Sequence, residues 1–295
     1  MNIKTSNLEC IWKTNSTLGE SVLWVKSLNS IFFVDIKKKK IFKYNGKKKI
    51  KKKIKVNKEI GFLTHVKKNI FLLGLQGELR FFDINTKKKI KSIFVEKNKP
   101  YNRLNDGKTD QKGRLWFGSM NRFERNIKSG SLYCLNKNLI LKKVDSNYVI
   151  TNGPSFINDK NFYHTDSKKK IIYKIKINKN LKVVKKIVFL KFSKFDMPPD
   201  GMTTDTNNNL WVCHYGGACI SIFNKKGKKI NKINLPIKNV TNCAFGGYKN
   251  ADLYITSASK GLSKNDKKKY NLSGSLFKLN TNCKGKMSKS FNCKI

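Results

Sequence analysis

Histidine is nearly missing from this chain, and with it the signature of several enzyme classes. Only His65, His164 and His214 occur in 295 residues, too few and too scattered for a zinc site built on several imidazoles. Cysteine is present seven times, at Cys10, Cys134, Cys213, Cys219, Cys243, Cys283 and Cys293, but never as a CxxC pair. An odd number without zinc spacing excludes a complete disulfide framework, so the thiols read as buried or incidental groups of a reducing compartment. There is no GxSxG elbow, no P-loop and no GxGxxG after a strand, which removes the main support for α/β-hydrolase, NTPase and dinucleotide-binding readings. Cys213 and Cys219 flank a Tyr-Gly-Gly turn without an evident base partner, which argues against a cysteine nucleophile. No run approaches the roughly 18 apolar residues of a membrane span. The opening MNIKTSNLECIWKT also lacks the apolar stretch of a signal peptide. The expectation is a soluble, cytoplasmic protein with no membrane partner.

Acidic residues are scarce as well: 18 Asp and Glu stand against 64 Lys and Arg, a formal charge of +46. Such a balance invites a nucleic-acid reading. Against it, Arg occurs only at positions 80, 103, 114, 122 and 125, although Arg is the residue expected where phosphates or guanines are held by two hydrogen bonds. The Lys excess accompanies abundant Asn and Ile and only four Ala, a pattern that an AT-biased coding sequence also produces. No specific nucleic-acid partner is expected; a solvated basic surface that sticks weakly to polyanions is.

Helical periodicity is almost absent, and what is there is β-rich. The runs Ile31–Asp35, Ile70–Gly74, Leu115–Gly118, Phe162–Asp166, Leu210–Cys213 and Leu253–Thr256 combine aromatic and β-branched residues, as strands do. They recur every 40–48 residues or about that, the repeat length of propeller blades. With 39% apolar residues the chain can build a real core. These features predict an all-β, six-bladed β-propeller spanning 1–295 as one domain. The segment around Cys10–Lys13 is expected to pair into the last blade. The Lys runs Lys37–Lys40, Lys87–Lys89, Lys168–Lys170 and Lys225–Lys229 fall at solvent-facing turns between outer strands. Trp116 and Trp211, at matching points of two blades, read as core, and His214 reads chiefly as packing.

Counting back ten residues from Leu115, Phe162, Leu210 and Phe71 reaches Asn105, Asn152, Asp200 and Gly61; eleven before Leu253 lies Asn242, and twelve before Phe32 lies Glu20. Equivalent positions of innermost strands converge at one end of a propeller's channel. Glu20, Asn105, Asn152, Asp200 and Asn242 are therefore expected to face one another, with Gly61 leaving space. Two carboxylates among carboxamides form an all-oxygen cage suited to a hard cation. Singly, NDG, NGP and PDG are ordinary turn sequences, but turn chemistry does not require a common register.

The segments LGES (Leu18–Ser21), RLNDGKTD (Arg103–Asp110) with GRLWFGSM (Gly113–Met120), TNGPSF (Thr151–Phe156), PDGMTTD (Pro199–Asp205) with NLWVCHYGG (Asn209–Gly217), and NCAFGG (Asn242–Gly247) resemble, in order, the signatures of the gluconolactonase/regucalcin-like family. The resemblance implies a six-bladed propeller with one central divalent metal, calcium foremost and zinc, magnesium or manganese as alternatives. Carried over, Glu20, Asn152 and Asp200 would be metal ligands, Arg103 and Asn105 would hold substrate, and Asp200 would also be the general base. Relatives often place an acidic substrate-binding residue a few positions past Met120. Here that segment reads Asn121-Arg122-Phe123-Glu124, leaving Glu124 or Asn121 to serve and the sugar preference open.

The implied activity is metal-dependent hydrolysis of a small sugar lactone to an aldonic acid, by a monomer or weak homo-oligomer. A non-catalytic calcium-binding propeller is the first rival; a purely structural site would have no need of Arg103 with Asn105. A hydrolase of other esters or organophosphates on the same scaffold is the second. A nucleic-acid-associated propeller, driven by the charge, is the third.

Overall fold

Every aromatic and β-branched run picked out above is the second strand of a four-stranded antiparallel sheet in the computed structural model, which describes residues 7–294. Six such sheets follow one another along the chain, here I to VI, making the protein an all-β, six-bladed β-propeller. The one α-helix among the described residues is the short Lys264–Lys269. Contacts divide the chain into two compact units of three sheets each.

The first unit takes the chain up to Lys53 together with Phe192–Met287. Sheet I runs Gly19–Val25, Ser30–Asp35, Lys40–Asn45 and Ile50–Lys55; its last strand reaches two residues past the unit's edge. Sheet V runs Pro199–Thr204, Leu210–His214, Cys219–Phe223 and Lys229–Asn234. Sheet VI takes Asn239–Gly246, Asp252–Ala258 and Leu276–Asn280, and is completed by Leu8–Trp12, with Leu8 opposite Leu279. The N-terminal strand thus joins the last sheet, as expected. Trp211, Ile220, Phe245, Leu253 and Phe277 fill the space between sheets V and VI. Trp12, Phe33, Phe42 and Leu276 do so between VI and I. Each large apolar side chain buried in this way contributes about 1.5–3 kcal/mol.

The second unit comprises Ile54–Lys191 and the tail from Ser288. Sheet II runs Ile60–Lys67, Ile70–Leu75, Glu78–Asp83 and Lys88–Phe94; sheet III runs Asn102–Thr109, Leu115–Asn121, Gly130–Leu135 and Leu141–Tyr148. Sheet IV runs Thr151–Phe156, Asn161–Asp166, Ile171–Ile177 and Val183–Lys191. Phe62, Leu72, Phe81, Leu104 and Phe117 pack between II and III, and Phe291 of the tail joins them. Trp116, Tyr148, Phe156 and Phe162 pack between III and IV.

Polar residues at repeated positions tie the strands down. Asp35, at the end of IFFVD, accepts the backbone N–H groups of Thr17 (2.8 Å), Leu18 (3.2 Å) and Lys38 (3.1 Å). Asp166, at the end of FYHTD, accepts those of Val149, Ile150 and Lys169 in the same way. Both Trp residues read as core are buried, and their indole N–H groups donate to Asp110 (2.9 Å) and Asp205 (3.2 Å). The Lys runs lie at hairpin turns and on outermost strands: Ile50–Lys55, Lys88–Phe94 and Lys229–Asn234 are largely exposed. Charged edges of this kind resist sheet-to-sheet pairing. No described helix is long and apolar enough to cross a membrane.

Candidate active site

The first strand of every sheet carries a register irregularity at the phase picked out in the sequence. It falls between Glu20 and Leu23, Ile60 and Phe62, Leu104 and Gly107, Asn152 and Ser155, Pro199 and Met202, and Val240 and Asn242. In sheet III, Asn105 and Asp106 together oppose the single residue Gly118; in sheet V, Asp200 and Gly201 together oppose Cys213. A bulge bends the strand and re-aims the side chains it carries, and such kinks concentrate beside active sites. Five of the six phase positions hold Glu, Asp or Asn, and the sixth is Gly61.

In the second unit these residues form one hydrogen-bonded chain. Arg103 Nη1 donates to Asn105 Oδ1 (2.5 Å). Asn105 Nδ2 donates to the Thr151 carbonyl (2.6 Å) and to Asn152 Oδ1 (3.0 Å), and Asn152 Nδ2 donates to Ser167 Oγ (2.8 Å). The side chains of Arg103, Asn105, Asn152 and Ser167 are all buried. The amide of Asn152 is thereby fixed: its N–H side is committed to Ser167, while its oxygen, with two lone pairs, keeps capacity beyond the bond from Asn105. Asp106, which the sequence reading passed over, stitches the same two strands from the backbone side. Its carboxylate accepts the N–H groups of Gly107 and Gly153, both at 2.8 Å. Gly61 lies against the Leu104 and Asn105 carbonyls, so close that a side chain has no room.

Asn121 and Glu124 take different places. Asn121 is buried at the end of the second strand of sheet III, and its Oδ1 accepts the Phe123 N–H (3.0 Å), capping the turn. Glu124 is half-buried in that turn with φ 58°, its N–H bonded to the Asn121 carbonyl.

In the first unit, Glu20, Asp200 and Asn242 are buried on the first strands of sheets I, V and VI. The Asp200-Gly201 bulge touches sheet VI: a carbon added to Gly201 would stand 2.5 Å from Asn242 Nδ2 and 2.7 Å from the Thr241 carbonyl. Glycine at that position is what lets Asp200 approach its neighbour strand. Cys213, opposite the bulge, is wholly buried and hydrogen-bonds Cys243. Burial first, then Cys243, then the negative charges of Asp200 and Glu20 push its thiol far up. Both carboxylates therefore lie within electrostatic reach of one thiol. His214 is a packing residue, as expected. Its ring nitrogens engage the Met197 carbonyl (3.2 Å) and Ser221 Oγ (3.0 Å), and burial holds its pKa below the usual value.

The chain matches the SMP-30/Gluconolactonase/LRE-like region over residues 18–259. It belongs to that family. Regucalcin from Xenopus laevis is 30% identical over 284 residues, covering 92% of this chain and 93% of the relative. A Sulfolobus acidocaldarius protein without assigned function is 31% identical over 263 residues, 84% of this chain and 90% of its own. Among solved structures, a luciferin-regenerating enzyme superposes with TM-score 0.89 at 28% identity, covering 98% of this chain and 99% of that one. The calcium-binding protein regucalcin from Agrobacterium tumefaciens superposes with TM-score 0.90 at 22% identity, covering 96% of each chain. That second likeness shows the fold.

Whether the donors suit the divalent cation that the family implies is a matter of their chemistry. Among the described residues no three His, Cys, Asp or Glu gather into a metal cluster. A resident cation would therefore have to combine the two buried carboxylates with carboxamide and water oxygens. That all-oxygen set fits a hard ion such as calcium, magnesium or manganese better than zinc.

Proposed function

We propose that this protein is a metal-dependent lactonase that opens small sugar lactones to aldonic acids. The observation that carries the reading is the pair of buried carboxylates, Glu20 and Asp200, acting on the same buried thiol in a chain of the gluconolactonase-containing family. Where two buried carboxylates share one site they repel unless a cation or a shared proton offsets them. In this reading Glu20, Asn152 and Asp200 hold one divalent cation, with calcium first in line because a structurally similar regucalcin is a calcium-binding protein. When bound, such an ion polarises an ester carbonyl and offsets the negative charge of the tetrahedral intermediate.

The chain's own groups do the rest. Asp200 takes the proton from the attacking water. Asn105 and Arg103 orient sugar hydroxyl or carbonyl oxygens, and their bond to one another fixes the carboxamide before substrate arrives. Asn121 and Glu124 serve as secondary contacts of the sugar. The seven free cysteines support a reducing, cytoplasmic setting. The test is acid release from a panel of aldonolactones by chelator-stripped protein, with calcium, magnesium, manganese or zinc restored singly. Turnover that returns only with metal supports the reading; a metal that binds while every lactone stays closed favours a non-catalytic calcium-binding role, the reading that the regucalcin relatives suggest.

A further inference from the structure

The chain spends arginine on few tasks. Of its five Arg residues, Arg80 is paired with Glu78 and Arg114 with Asp110, each at 2.6 Å, and Arg103 is hydrogen-bonded to Asn105. The remaining two, Arg122 and Arg125, stand together on the loop that leaves the second strand of sheet III. Both lie over one ring: their guanidinium carbons are 5.3 and 5.4 Å from the centroid of Phe123. Phe123 is 54% exposed, and Tyr101, 63% exposed, meets it with ring centroids 6.0 Å apart. No core requirement accounts for two exposed aromatic rings in contact, one of them lying under two guanidinium groups.

Register fixes where this cluster sits. The Arg122 N–H donates to the Tyr101 carbonyl (2.8 Å), and Arg103 pairs with Met120 two positions inward. At about 3.4 Å per residue, the cluster begins about 7 Å beyond Arg103 along the same strand pair. Arg122 Nε also lies 3.8 Å from Glu59, next to the first strand of sheet II, which anchors that side chain at the Gly61 end of the unit. Elsewhere this protein makes its surface positive with Lys; here it uses the planar fork that binds carboxylates and phosphates by paired hydrogen bonds. Stacking on aromatic faces keeps the fork oriented and partly sheltered from water.

We infer that this arginine–aromatic loop selects lactones carrying a second, anionic group, a phosphate or a carboxylate, over neutral sugar lactones. The inference rests on the lactonase reading and deepens it. Arg122 and Arg125 bind the anion, and Tyr101 and Phe123 wall it from solvent.

Three matched aldonolactones test it, one neutral, one with a terminal phosphate and one with a terminal carboxylate, each given to the wild type and to the Arg122→Gln/Arg125→Gln double variant. The wild type should prefer an anionic lactone by about tenfold or more in kcat/KM, mainly through KM, and the double variant should bring that ratio toward one. Because the ratio is read within each protein, a general loss of activity cancels. Preference for the phosphate or for the carboxylate names the anion. A neutral lactone hydrolysed as well as the anionic ones, or a ratio that survives in the double variant, overturns the inference and leaves the lactonase intact. If no lactone is opened at all, calorimetric binding of a terminally phosphorylated aldonate against its unphosphorylated form decides. Tighter binding that the double variant loses keeps the loop as an anion site; equal binding removes it.

Discussion

Replacing Gly61 by Ala would place a methyl carbon 2.0 Å from the Leu104 carbonyl oxygen and 2.5 Å from that of Asn105, where ordinary contact begins at 3.4 Å. Both obstacles are backbone, so no side chain can swing aside. The first strands of sheets II and III would have to part. Overpacking of this kind costs about 1–3 kcal/mol, and a clash with two carbonyls belongs at about 3. The displaced segment carries Asn105, so its bonds to Thr151 and Asn152 would lengthen as well. Urea denaturation should show the loss as a lower midpoint with unchanged slope. Gly46→Ala is the control. Its added carbon meets only the Tyr44 ring, at 3.4 Å, so its stability should stay within about 0.5 kcal/mol of wild type. If Gly61→Ala also melts within about 0.5 kcal/mol of wild type, the close approach of these strands is not what keeps the site in register.

Other outcomes follow from single residues. His164 is wholly buried against the edge of Tyr148, neither ring nitrogen has a hydrogen bond, and burial holds its pKa down to about 3. The unfolded chain, titrating near 6.5, therefore binds the extra proton between about 6.5 and 3. In that window stability drops as the pH is lowered, by up to about 1.4 kcal/mol per unit, and His164→Phe should flatten the slope in urea melts at neutral pH and near pH 5. Lys39 holds φ 54° in an exposed turn. Lys39→Gly should raise stability by about 0.5 kcal/mol, seen as a small rise in Tm, since only glycine adopts that backbone without cost.

The sequence displayed the architecture well because its repeat is hydrophobic. IFFVD, IFLLG, LWFG, FYHTD, LWVC and LYIT each need burial on both faces, and each is a second strand with a nearly fully buried pattern. Phase counting picked out two neighbouring pairs: Asn105 touches Asn152, and the Asp200-Gly201 bulge touches Asn242. What the count could not show is the bulge itself. A register shift is a backbone event, and Asn, Asp and Gly suit turns and bulges equally. Asp106 was missed for that reason. It follows Asn105 directly and reads as the tail of an NDG turn, yet its carboxylate binds the next sheet's backbone. A signal for the buried Trp partners was available, since TDQKGRLW and TDTNNNLW both place Asp six residues before Trp.

The central claim is that Asp200 is the base of a metal-dependent lactonase, and the most direct measurement compares Asp200→Asn with wild type. Both would be loaded with the metal that restores most activity, and their folds matched by circular dichroism. The account predicts a fall in kcat of at least about a hundredfold, with the fold retained. An Asp200→Asn variant that opens lactones at the wild-type rate would contradict it.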